Sequence, residues 1–248
     1  MATRSTAIEM VIDDEYVAGT FLTPEHKVPG VLFVHGWGGS QERDLARARG
    51  IAGLGCVCLT FDLRGHQRSS ARQQTVSRAD NMRDLTTAYD RLVRHPAIDS
   101  SHVAVVGTSY GGYLAAILTT RRPVKWLSLR VPSLYRDAGW DRPKRSLNRD
   151  DLAQYRRRII KPEQNRALAA CAAFRGDVLL VESEFDHLVP HATLMSYRSA
   201  FRQSHSLTHR IIDGADHSLS SSASQRAYTD ILQGWFTEMV IGARIGPM

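Results

Sequence analysis

Val103-Ala104-Val105-Val106-Gly107-Thr108-Ser109-Tyr110-Gly111-Gly112-Tyr113-Leu114 runs from an apolar stretch through a glycine-flanked serine into a second apolar stretch. The four aliphatic residues at its start are too few for a helix and end in glycine, so they read as a strand buried on both faces of a parallel sheet. Tyr110–Thr120 reads as a helix, closed by Arg121-Arg122-Pro123. Between the two, Gly107-Thr108-Ser109-Tyr110-Gly111 fits G-x-S-x-G. A strand that turns sharply into a helix forces its central serine into strained backbone angles, and side chains two before and two after would collide. Such a turn presents the Ser109 hydroxyl at a helix N-terminus, where the dipole favours developing negative charge.

The same alternation extends outward in both directions. Ala7–Ile12 and Tyr16–Leu22 partly alternate apolar and polar residues, as on a half-buried antiparallel pair, and a Pro-bounded turn, Thr23–Gly30, follows. Val31–Val34, Cys56–Phe61, Trp126–Val131, Val178–Val181 and Leu207–Ile212 are further strand-sized runs. Helical patterns fall between them at Leu45–Leu54, around Met82, Leu85, Tyr89 and Leu92, at Ala167–Phe174 and at Ala192–Phe201. A stripe from Tyr228 through Leu232, Trp235 and Phe236 to Met239 marks a closing helix. The expected fold is α/β: a doubly wound, mostly parallel eight-stranded sheet with helices on both faces, in a single domain over residues 1–248. Right-handed crossovers then bring the C-terminal strand ends to one edge, where ligands of such folds bind.

Composition narrows the class further. A chain of 248 residues fits around one core, and 43% apolar with 23% charged residues excludes a disordered tail, a collagen-like repeat and a coiled coil. No apolar run approaches the roughly 20 residues needed to span a bilayer. Met1–Glu15 carries acids where a signal peptide needs an apolar run, so the expectation is cytoplasmic, with no membrane partner. Cys56 and Cys58 share one strand face and Cys171 sits in an alanine-rich stretch; with no zinc-type spacing, all three are expected in the core, with no metal and no cofactor.

A serine hydroxyl needs a base, and the base needs an orienting carboxylate. Of the ten histidines, His217 follows the last strand in Gly214-Ala215-Asp216-His217-Ser218, which puts it at the ligand-binding edge. His95 and His102 precede the strand leading to Ser109 and lie at its wrong end; His205 and His209 flank the start of the last strand. Asp186 lies just past the Val178–Val181 strand, with Glu184 and Asp216 as competitors. Asp216 is adjacent to His217 in the chain and reaches its Nδ1 awkwardly, so Asp186 is favoured.

With these residues in place the chain resembles the α/β-hydrolase superfamily over essentially its whole length, in the branch of esterases, dienelactone hydrolases and serine aminopeptidases. Ser109, Asp186 and His217 follow that family's order of nucleophile, acid and base. His35-Gly36-Trp37-Gly38-Gly39-Ser40 looks like the family's oxyanion loop, which implies backbone N–H donors from Trp37 and Tyr110, each worth a few kcal/mol in the transition state. Asp62-Leu63-Arg64-Gly65-His66-Gln67-Arg68-Ser69 is similar to the family's D-x-R-G-x-G-x-S loop, with Gln67 replacing the second glycine. That loop is usually structural. Ser109-Tyr110-Gly111-Gly112-Tyr113 also looks like the elbow of prolyl-oligopeptidase peptidases, a likeness read as a shared elbow rather than shared substrates. A serine at the elbow argues against the branches that use an Asp nucleophile.

The formal charge is +7, and between Asp141 and Pro162 eight cations face three acids. This stretch belongs to Pro132–Asn165, where relatives carry a cap, and two small helices or a loop are expected over residues 132–165. Tyr135, Trp140 and Tyr155 are candidate substrate contacts, and Arg156–Arg158 are candidates to select anionic substrates, set against a solvated Arg-rich surface. No nucleic-acid module or phosphate-cradling loop is present, so no nucleic-acid partner is expected; a homo-oligomer stays open. The expected activity is that of a serine hydrolase cleaving a carboxylic ester or related acyl bond of a small molecule. An aminopeptidase or thioesterase with the same triad is the alternative, and a non-catalytic binding protein on the same fold is the third reading.

Overall fold

Continuous burial along β3 (Val28–Val34), β4 (Val57–Phe61), β6 (Trp126–Arg130) and β7 (Asp177–Ser183) accounts for the apolar runs: each strand is covered on both faces. The structure is a computed structural model and describes residues 4–23 and 28–245. With β1 (Arg4–Ile12), β2 (Glu15–Thr23), β5 (Ile98–Thr108) and β8 (Ser206–Ile212) the strands form one eight-stranded sheet of order β1-β2-β4-β3-β5-β6-β7-β8. β1 pairs with β2 and β2 with β4 antiparallel; every other neighbouring pair is parallel.

Side-chain alternation sends neighbouring residues into two separate cores. Leu32 and Val34 of β3, with Val103 and Val105 of β5, join one core; Val31, Phe33, Ala104 and Val106 join the other. The first core is closed by α2 (Arg78–Val93), α3 (Tyr110–Leu118), α5 (Arg166–Ala173) and α6 (His191–Ala200). The second is closed by α1 (Glu42–Gly53) and by the Tyr228, Leu232, Trp235 and Phe236 stripe of α7 (Ser222–Ile245). Cys56 and Cys58 lie together in the second core and Cys171 in the first, all buried.

Three local features differ from the pattern reading. The expected Pro-bounded turn falls partly on residues 24–27, which lie outside the described residues, and Val28–Gly30 already belong to β3. Gln67–Gln74 forms a 3-10 segment with no buried residue, so no apolar period announces it. Over 132–165 the chain makes one short helix, α4 (Arg149–Arg156), flanked by 3-10 turns at Lys144–Ser146 and Pro162–Gln164. The Arg78 guanidinium is wholly buried and donates to the carbonyls of Arg136 (2.6 Å) and Ala138 (2.7 Å), which pins the start of this stretch to α2.

Candidate active site

The parallel strands end on one edge, and β5 reaches it at Thr108 and turns at once into α3. Ser109 occupies the turn at φ 52°, ψ −113°, a conformation that costs a non-glycine residue of order 1–3 kcal/mol. Neighbouring backbone holds it there. The Ser109 N–H donates to the Arg130 carbonyl (2.9 Å), and its carbonyl accepts from Tyr113 N–H (3.1 Å) and Ser133 N–H (2.9 Å). A Cβ at Gly107 would stand 2.7 Å from the Gly111 carbonyl oxygen, and one at Gly111 would run into the carbonyls of Val34 and His35.

The turn delivers the Ser109 hydroxyl to His217, whose Nε2 lies 3.0 Å from Oγ. His217 stands on the loop between β8 and α7, and its Nδ1 lies 2.6 Å from Asp186 Oδ2. Asp186 follows β7, and its side chain is 2% exposed. The two competing acids are occupied elsewhere: Glu184 accepts from Gly214 N–H (2.7 Å), while Asp216 accepts from Ser220 N–H (2.8 Å) and its hydroxyl (2.7 Å). Both therefore shape the His217 loop without touching the imidazole. His102 and His205 pair with Asp99 and Asp177, both at N-terminal strand ends away from Ser109.

The loop after β3 approaches so closely that a Cβ at Gly36 would lie 3.2 Å from Ser109 Cβ. Two buried imidazoles fasten it. His35 Nε2 accepts the Leu63 N–H (3.0 Å), so its proton sits on Nδ1, which donates to the Gly36 carbonyl (2.7 Å). His66 Nε2 likewise accepts the Gly38 N–H (3.0 Å). A neutral ring is required in both, and burial supplies it: the His35 pKa falls to about 3, and that of His66 is lowered for the same first cause. His66 is thus a structural tie of this loop. The Tyr110 N–H, first of α3, has no intrahelical acceptor, and the Trp37 N–H donates to no protein group among the described residues.

A cavity of about 740 Å³ opens over Ser109 and His217. Tyr135 lines it; Trp140 and Tyr155 do not. The Trp140 ring instead takes the Arg166 guanidinium at 4.3 Å, and the Tyr155 hydroxyl accepts from Asn165 Nδ2 (3.2 Å) beneath Arg136. Tyr155 thus packs within 132–165, and Trp140 packs that stretch against Arg166, Arg78 and Tyr113. Arg156 lines the cavity, whereas Arg157 and Arg158 are exposed outside it.

Pattern reading missed two contributors. Ser133 Oγ lies 3.1 Å from Ser109 Oγ, a contact no short motif encodes. Arg130 reaches the cavity from β6, and its signal was available: a cation at the end of an otherwise apolar run. Among the described residues no group of three or more His, Cys, Asp or Glu side chains is arranged to hold a metal ion, and no helix is long and apolar enough to cross a membrane.

Residues 45–242 match the model of the prolyl oligopeptidase family, so the likeness first read at the elbow extends over most of the chain. An uncharacterized protein of Mycobacterium tuberculosis strain H37Rv is 26% identical over 215 residues, 86% of this chain and 71% of that one. Among solved structures, the dienelactone hydrolase from Anabaena variabilis superposes with a TM-score of 0.67 at 20% identity, covering 95% of this chain and 98% of that one. The acylaminoacyl peptidase of Pyrococcus horikoshii superposes with a TM-score of 0.69 at 17% identity, covering 96% of this chain but 41% of that one. At these identities the solved structures speak for the α/β-hydrolase fold alone.

Proposed function

The chain belongs to the prolyl oligopeptidase family and is a serine hydrolase of α/β-hydrolase fold; from that premise we propose that it cleaves a carboxylic ester or related acyl bond of a small molecule through an acyl-enzyme on Ser109. The observation that carries the reading is the unbroken chain of contacts from Ser109 Oγ to His217 Nε2 (3.0 Å) and from His217 Nδ1 to Asp186 Oδ2 (2.6 Å). In this reading Ser109 Oγ attacks the acyl carbon as its proton passes to His217 Nε2. Asp186 keeps the other ring proton on Nδ1 and balances the imidazolium charge. The carbonyl oxygen becomes an oxyanion facing the N–H groups of Trp37 and Tyr110. His217 then protonates the leaving alcohol, which departs. Water deprotonated by the same nitrogen attacks the acyl-enzyme and releases the acid, restoring Ser109.

The domain assignment belongs to the same reading: one α/β-hydrolase domain in which 132–165 forms a short basic cap, with Tyr135 and Arg156 on its cavity side. A peptidase using the same triad draws support from the family match and from the peptidase likeness. Turnover of p-nitrophenyl esters, acyl-CoAs and aminoacyl amides ranks ester, thioester and amide bonds. The triad itself is tested by a fluorophosphonate probe. Mass spectrometry is expected to find the adduct on Ser109; a folded protein that stays unlabelled sinks the proposal.

A further inference from the structure

Four arginines, Arg43, Arg47, Arg130 and Arg156, line the cavity over Ser109, against a single acidic residue, Asp44. Among the described residues no carboxylate lies within ion-pair distance of Arg43, Arg130 or Arg156. Arg130 is 5% exposed, and its guanidinium donates to neutral oxygens: the His217 carbonyl (3.0 Å) and Ser183 Oγ (3.4 Å). Arg47 sits beside it, the two guanidinium carbons 4.8 and 5.4 Å from the same Tyr228 ring. The Arg47 Nε is buried and has no acceptor among the described residues, while its Nη1 lies 3.6 Å from Asp44 Oδ1. Burial pushes the Asp44 pKa up to about 6 despite the arginines around it, so even when it is ionised a single acid faces four cations in the cavity lining.

Buried cations are ordinarily paired, because removing a charge from water is repaid only by a counter-charge with good geometry. Here Arg43, Arg130 and Arg156 meet the cavity without a protein acid and Arg47 has Asp44 alone, and the planar fork of a guanidinium fits a carboxylate. We propose that Arg43, Arg47 and Arg130 form an anion subsite that holds a free carboxylate on the substrate, making esters of dicarboxylic acids (half-esters) the preferred substrate class. The proposal rests on the hydrolase reading above. It moves the source of charge selection from the basic stretch 156–158 to α1 and β6. Arg43 and Arg47 lie one turn apart on α1, with Arg47 donating to the Arg43 carbonyl (2.9 Å), and Arg130 is anchored to the backbone of His217 itself. A carboxylate held there sits on the same cavity wall as the base.

The test compares 4-nitrophenyl half-esters of succinate, glutarate and adipate with methyl-ended esters of matching chain length. For the best-fitting length, kcat/KM of the anionic ester is expected to exceed that of its neutral partner at least tenfold. That ratio is expected to fall at least tenfold in Arg47→Gln, mainly through KM, and to stay unchanged in Arg158→Gln. Arg47 stacks on Tyr228, so the exposed Arg43→Gln is the second variant, with a smaller loss in the same direction. Neutral esters turned over as well as anionic ones at all three lengths would overturn the proposal and leave the hydrolase reading intact. Should neither ester be hydrolysed and Ser109 stay unlabelled, the hydrolase reading fails instead. Calorimetric titration of the Ser109→Ala protein with glutarate then decides the subsite: binding lost in Arg47→Gln upholds it, and no binding at millimolar glutarate removes it.

Discussion

At Asp186 both carboxylate oxygens are occupied. Oδ1 accepts the N–H groups of Leu188 and Val189, each at 2.8 Å, and Oδ2 faces His217 Nδ1. The two backbone donors leave the side chain one orientation, so the imidazole is aimed as well as charge-balanced. Asp186→Asn keeps the shape and the backbone bonds but presents an amide donor or a weaker acceptor to Nδ1, favouring the tautomer that cannot accept the Ser109 proton. The expected result is a loss in kcat of about 10³–10⁴ with little change in KM or in thermal stability. Stopped assays on one ester, with melting curves on the same sample, check it; a loss under tenfold would assign the orienting role to another acid. The place of Asp186 beside His217 was legible because an acid just past a strand end reaches the shared edge. The roles of His35, His66 and Ser133 were not, since His35 meets Leu63 and His66 meets Gly38 across 28 positions of chain and Ser133 meets Ser109 across 24.

The β5–α3 turn works because two elements approach more closely than side chains allow. At Gly111 an added Cβ would meet the His35 carbonyl oxygen at 2.5 Å and the Val34 carbonyl still closer, and both are backbone atoms that cannot rotate away. Gly111→Ala therefore has to push α3 off the end of β3, dragging the Gly36–Gly39 loop out of register with Ser109. It is expected to cost about 3 kcal/mol or more, read as a lower urea midpoint, and to abolish phosphonate labelling under native conditions. Gly234 provides the contrast: it lies inside α7 with nothing within 4 Å of an added Cβ. Gly234→Ala should raise stability by roughly 0.5–1 kcal/mol. Equal effects of the two substitutions would remove the close-approach argument. Elements whose job is burial were readable from the chain, because a strand covered on both faces has no choice but a continuous apolar run. The stretch 132–165 resisted that reading because its shape is set by groups far away, above all the Arg78 guanidinium on the carbonyls of Arg136 and Ala138.

For the molecule as a whole, the formal +7 is partly directed inward, and this ties global stability to pH through the groups the cavity shares with α1. Asp44 has its pKa raised from 3.8 to about 6, first by burial. A raised carboxyl pKa means that between pH 4 and 6 the folded state binds more protons than the unfolded one, so stability falls as pH rises across that window. Above pH 6 the loss is complete and amounts to about 3 kcal/mol. His35 acts in the opposite sense. Its pKa drops to about 3 on burial, so its contribution is intact above about 6.5 and is lost as pH falls below that value. Wild-type melting between pH 4 and 6 therefore sums two opposing trends and reveals neither alone. The Asp44→Asn variant separates them, because the amide mimics the neutral acid at every pH and leaves His35 unchanged. The difference in Tm between variant and wild type should be close to zero at pH 4, grow through pH 5, and reach roughly 6–12 °C in favour of the variant at pH 8. A difference that is constant with pH would mean that Asp44 does not titrate in this range. A wild type more stable than the variant at pH 8 would mean that the arginines around Asp44 outweigh the cost of burying its charge.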